Sequence, residues 1–149
     1  MNTSELMQGD WVRLSAAPIF CKVCGFTEDS KVLGRTAGGG AFIKDSDQLS
    51  PIDLTQDSIL CTPFWLVRKG VFKKTVRNVA VFVYEVEKRK LVVQSLWSDF
   101  VNTHYIAFMH ELQHLYHHYA CAPLEVDMAH SKRKEYSKKY NSRKGGRHE

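Results

Sequence analysis

The stretch from Asn102 to Cys121, NTHYIAFMHELQHLYHHYAC, constrains the fold most, because its apolar residues recur with a single period. At 100° per residue, Tyr105, Phe108, Met109, Leu112, Leu115, Tyr116 and Tyr119 line one face, the pattern of a long amphipathic helix with a buried stripe. Asn102 or Thr103 is placed to cap the first turn by accepting a bond from an unpaired backbone N–H, and Pro123 prevents continuation past the end. The stripe belongs in a core.

The rest of the chain supplies short strands to pack against it. Gly9 to Leu14, Ile19 to Phe26, Lys31 to Leu33 and Ala41 to Ile43 are broken by turns and predict a small curled antiparallel sheet, since strands so short are not stable as isolated pairs. Gly38-Gly39-Gly40 lacks the Lys-Ser/Thr of a phosphate-binding loop and is expected to be a turn. Thr55 can cap a short helix over Gln56 to Cys61, ending before Pro63. The runs VAVFVYEV and LVVQSL flank Glu87-Lys88-Arg89-Lys90 and predict a hairpin, in which Phe82, Tyr84 and Val86 alternate with Val81, Val83 and Glu85, so that one of the two faces packs beneath the long helix. Leu124 to Met128 alternates apolar and acidic residues, as a short terminal strand would. The order predicts an α+β domain over residues 1–130, its first fifty residues β-rich, followed by a tail over 131–149 that is basic and expected to be disordered or partly helical.

Charge divides the chain the same way. The formal net charge is +5, but Lys132, Arg133, Lys134, Lys138, Lys139, Arg143, Lys144 and Arg147 against Glu135 and Glu149 put +6 in the tail, leaving residues 1–131 near −1. Those cations, with Tyr136 and Tyr140 among them, would attract a phosphate backbone and stack on bases without sequence specificity. A solubilising terminus is the competing reading. No segment has the apolar length of a membrane span, and MNTSELMQGDW lacks the regions of a signal peptide, so a cytoplasmic address with reduced cysteines and no membrane partner is expected.

Three stretches together resemble a group of small uncharacterised α+β proteins of gut bacteria and their phages and mobile elements. Ser4-Glu5-Leu6 with Gly9-Asp10-Trp11-Val12 is similar to the group's opening N-E-L-x-x-G-N/D-W-V. Pro51-Ile52-Asp53-Leu54-Thr55 with Ile59-Leu60 is similar to its P-I-x-L-T and short helix, and His110, Leu112, Gln113, Leu115 and Tyr116 to its H-x-L-Q-x-L-Y helix. The resemblance runs in order over about residues 1–128 and implies a fold and no activity. It also implies that the helix motif serves packing, because the group often has Gln at the position of Glu111 and Asn at that of His114. It places Cys21-Lys22-Val23-Cys24 in a strand, with the two thiols on opposite faces rather than on one metal.

On the helix face opposite the apolar stripe, His110, His114 and His117 cluster, with Glu111 and His118 at its margin, and His110-Glu111-Leu112-Gln113-His114 fits H-E-x-x-H. In zinc peptidases that spacing brings two imidazoles to one metal while the glutamate acts as general base on the bound water. A catalytic zinc needs a third ligand, and the extended motif fails because His117 and Ala120 stand where Gly and the third His belong. Glu125, His130 and Glu135 are the other candidates. Two function classes therefore stay open. One is a non-enzymatic binding module with no cofactor, whose partner is a protein or, through the tail, nucleic acid. The other is a zinc hydrolase in which His110, His114 and His117 bind metal and Glu111 is the base.

Overall fold

The computed structural model describes residues 1–128; the basic tail and its eight cations lie outside the described residues, as do His130 and Glu135. The short N-terminal strands expected from the sequence are β1 (Trp11–Leu14), β2 (Phe20–Phe26), β3 (Val32–Thr36) and β4 (Ala41–Lys44), with β5 (Leu49–Pro51) returning beside β1. They form an antiparallel sheet in the order β4-β3-β2-β1-β5. Its core is Val12, Cys21, Val23, Val32 and Leu49, capped by Leu6. Gly34 in β3 is required by close approach: a Cβ there would overlap the Phe42 ring and stand 2.9 Å from the Lys22 carbonyl oxygen. The glycine run is the β3–β4 turn, as expected, closed by the Thr36 N–H donating to the Gly40 carbonyl at 2.7 Å.

A short helix, α1 (Gln56–Ile59), follows, with the Thr55 hydroxyl accepting from the Ser58 N–H at its start as its sequence predicts. Strands β6 (Trp65–Arg68), β7 (Val71–Val76), β8 (Ala80–Glu85), β9 (Lys90–Ser95) and β10 (Val101–Tyr105) then run up and down as a second five-stranded antiparallel sheet in the order β10-β9-β8-β7-β6. The expected hairpin is β8–β9, and Phe82 and Tyr84 are fully buried, whereas Val86 is half-buried beyond the strand. The structure is thus mostly β, two five-stranded antiparallel sheets with one substantial helix, α2 (Met109–Ala120).

Two expectations are corrected. The long helix begins at Met109, not near Asn102, and Asn102 and Thr103 belong to β10 and cap nothing. Backbone partners decide this. Residues 101–105 pair with β9, the Ile106 N–H donates to the Arg89 carbonyl (2.9 Å), and the Met109 N–H donates to the Ile52 carbonyl (2.8 Å). Tyr105 continued the helical period by coincidence and is exposed. Leu124 to Met128 is not a strand either. Its alternation is one of burial alone: Leu124 and Met128 enter the core, and the Asp127 N–H donates to the Cys61 carbonyl, but no sheet edge receives the segment.

Helix α2 packs into the second sheet's core and bonds to the start of β1 through Gln113 and His114. Met109, Leu112 and Tyr116 pack on the second sheet, where the Tyr116 and Phe82 ring centroids are 5.0 Å apart. At its C-terminus Cys121 takes a left-handed conformation (φ 56°) and its N–H closes on the His117 carbonyl.

Candidate functional site

The helix face that carries the H-E-x-x-H motif is not an open one. His110 is 4% exposed, His114 and Glu111 are half-buried, and only His117 and His118 stand in solvent. This face turns toward the beginning of β1, so Gln113 and His114 have partners more than a hundred positions away while Glu111 bonds backbone groups at the helix start.

Glu111 is the third residue of α2, and its Oε1 accepts the N–H groups of Ala107 (3.0 Å) and Phe108 (3.1 Å). These are donors the first turn leaves unpaired, and a carboxylate there also meets the positive end of the helix dipole. Gln113 uses both ends of its amide on the first sheet: Oε1 accepts the Trp11 N–H (2.9 Å) and Nε2 donates to the Gly9 carbonyl (2.9 Å). Between them is Asp10, 2% exposed, whose Oδ2 accepts the Met7 N–H (2.8 Å). Its carboxylate takes Nε2–H of His114 at 2.8 and 3.0 Å. That bond orients the imidazole and leaves Nδ1 as its only nitrogen with a lone pair when neutral.

His110 is stacked on Phe108, with ring centroids 6.0 Å apart and planes at 10°, and lies 5.7 Å from the His114 ring. Its Nδ1 is buried with no hydrogen-bond partner among the described residues. Burial pushes its pKa below the ordinary 6.5, and the nearby Asp10 carboxylate only partly opposes this.

Beside this seam is a pocket of about 390 Å³, walled by Met7 to Trp11 and Lys22 on one side, by Gln113, His114 and His117 on the helix, and by Pro123 to Val126 on the third. The structure therefore brings His114, His117 and Glu125 to one cavity and puts His110 behind it. Among the described residues no group of three or more His, Cys, Asp or Glu side chains is arranged to hold a metal ion. Cys21 and Cys24 lie in β2, one buried and one exposed. Burial raises the Cys21 thiol to about 11.

Asp10 and Gln113 are the site residues that sequence reasoning assigned no role. The only signal for them was that G-D-W and L-Q occur together in the motifs of the resemblance; nothing local relates positions 10 and 113. Compared with protein-family models, with curated proteins and with solved structures, the chain matches none of them. The site is read from its own geometry.

Proposed function

We propose that this protein is a non-enzymatic binding module, an accessory protein of phage or mobile-element origin, in which His110 to His114 serve as a clip. The pocket beside the clip takes a polar group of a partner protein. The observation that carries this reading is the Glu111 carboxylate. A general base must have its oxygen directed at a water, and Oε1 of Glu111 instead accepts two backbone N–H groups at the helix start. The Asp10–His114 and Gln113–Gly9/Trp11 bonds support it further, since they give Gln113 and His114 a structural use. The pocket offers a cation in Lys22, an acid in Glu125, two imidazoles and the Trp11 ring, which suits a mixed polar group. The charge of the tail supports additional non-specific contact with nucleic acid.

The test is zinc calorimetry with elemental analysis on untagged full-length protein, comparing wild type, Glu111→Gln, Glu111→Ala and His114→Asn. The expected result is no stoichiometric tight zinc in any of them, while Glu111→Ala loses about 1–2 kcal/mol of stability as a helix start deprived of its acceptor. Tight zinc in wild type that survives Glu111→Gln and vanishes in His114→Asn would overturn this reading in favour of the zinc hydrolase.

A further inference from the structure

Among the described residues each sheet ends in two edge strands, and a strand edge offers unpaired N–H and C=O groups to any other chain. Three of the four edges carry a feature that discourages such pairing. Strand β4 ends in Lys44; β5 is three residues long and ends in Pro51; β6 ends in Arg68 and has an irregular register between Leu66 and Arg68. Strand β10, Val101-Asn102-Thr103-His104-Tyr105, has no lysine, arginine, acid, proline or irregularity. Around it the apolar side chains are unusually exposed: Leu96 and Val101 by about half, Trp97 by 82%, Phe100 by 77% and Tyr105 by 74%.

We infer that β10 is a homodimer interface at which two copies of this chain pair antiparallel about Thr103, joining their second sheets into one of ten strands. The register follows from hydrogen-bond alternation. Because the Ile106 N–H bonds to Arg89, and Ile106 stands one position beyond the Tyr105–Lys90 pair, His104 and Asn102 are the residues that exchange bonds with β9. The N–H and C=O groups of Val101, Thr103 and Tyr105 therefore point to the open side. An antiparallel pair centred on Thr103 matches these three positions with one another: Val101 meets Tyr105 of the second copy, Thr103 meets Thr103, and Tyr105 meets Val101. Each of these pairs exchanges two backbone bonds.

The side chains fit the same register. An aromatic residue faces a β-branched one at both ends, threonine faces threonine at the centre, and Asn102 faces His104 on the other face. No formally charged side chain occurs between Phe100 and Phe108, so the two-fold axis opposes no like charges. The ladder also has a natural end. The next outward group, the Ala107 carbonyl, is already taken by the Leu54 N–H at 2.8 Å, which confines pairing to β10 and leaves Trp97 and Phe100 to cover its ends.

Sedimentation equilibrium on the full-length protein tests this with Thr103→Lys and Thr103→Glu. Residue 103 is exposed and its backbone groups are not used by β9, so both variants keep the monomer fold, which circular dichroism checks. The expected result is a wild-type dimer, self-association weakened about tenfold or more in each variant by like charges at the axis, and a heterodimer recovered on mixing the two. A monomeric wild type at every concentration reached overturns the proposal. So does a dimer unaffected by both substitutions, which would put the contact on another surface or on residues 129–149.

Discussion

A buried imidazole with one unpartnered nitrogen is a liability that a folded chain accepts only where the surrounding packing demands the ring. His110 is such a residue, held flat against Phe108 with Nδ1 out of reach of any donor or acceptor among the described residues. The groups facing it are the carboxylates of Asp10, Glu111 and Glu5 and the ring of His114; burial, with His114 acting in the same direction, outweighs the three carboxylates and lowers its pKa. Below about pH 6.5 the unfolded chain binds a proton at this histidine that the folded chain refuses, so stability falls as pH falls through that range and is unaffected above it. His110→Phe keeps the stacking surface and removes the titration. Its urea midpoint is expected to vary less between about pH 5 and 7.5 than the wild-type midpoint, and at neutral pH to equal or exceed it, since an unsatisfied buried nitrogen costs about 1–3 kcal/mol. Equal pH dependence in the two proteins would show that this imidazole is not excluded from protonation.

At the scale of elements, strand β2 shows how much an alternating pattern decides. Cys21 and Val23 point into the first core and Cys24 points out, as the strand reading of that segment implies. With its thiol pushed up to about 11 and no access to solvent, Cys21 should resist alkylation in the native protein, as should buried Cys61, while Cys24 and Cys121 react; all four should react in denaturant. Mass-spectrometric mapping after brief iodoacetamide treatment checks this, and native labelling of Cys21 would contradict the burial of β2. Strands β6 and β7 were legible in principle, because Lys69-Gly70, with Gly70 at φ 74°, separates two β-rich runs. Strand β10 was not, because the same residues satisfy a helical period. A helix of twelve residues is marginal by itself, so the β9 ladder easily claims its would-be first turns.

For the molecule as a whole, the decisive fact is that among the described residues there are two hydrophobic cores, one beneath each sheet, with Trp11 of β1 sharing the second core with Met109, Leu112 and Tyr116 of α2. Gln113 ties the helix to the start of β1 with two polar bonds, one to Trp11 and one to Gly9 just before the strand. Gln113→Ala leaves a Trp11 N–H and a Gly9 carbonyl without their partners, at a cost of about 2–3 kcal/mol. The sharper expectation concerns cooperativity. Wild type should unfold in one transition, whereas the variant should lose the first sheet at lower denaturant than the second. Hydrogen exchange at Val12 and Val23 compared with Phe82 and Val93 would separate the two, and a uniform loss of protection would argue that the cores are coupled by packing rather than by the clip.

The sequence by itself determined the places of β1 to β4 and of the β8–β9 hairpin, the Thr55-capped turn, and the buried stripe of Met109, Leu112 and Tyr116. Periodicity encodes burial because each secondary structure has its own angular repeat. It does not encode which backbone partner is available. Only the tertiary structure could make the helix begin as late as Met109, withhold a sheet edge from Leu124 to Met128, and bring Asp10 to His114 and Gln113 to Gly9 and Trp11. Those choices rest on contacts between segments far apart in the chain, more than a hundred residues apart for Asp10–His114 and for Gln113 with Gly9 and Trp11, and they give Gln113 and His114 a structural use that spacing along one helix could not reveal.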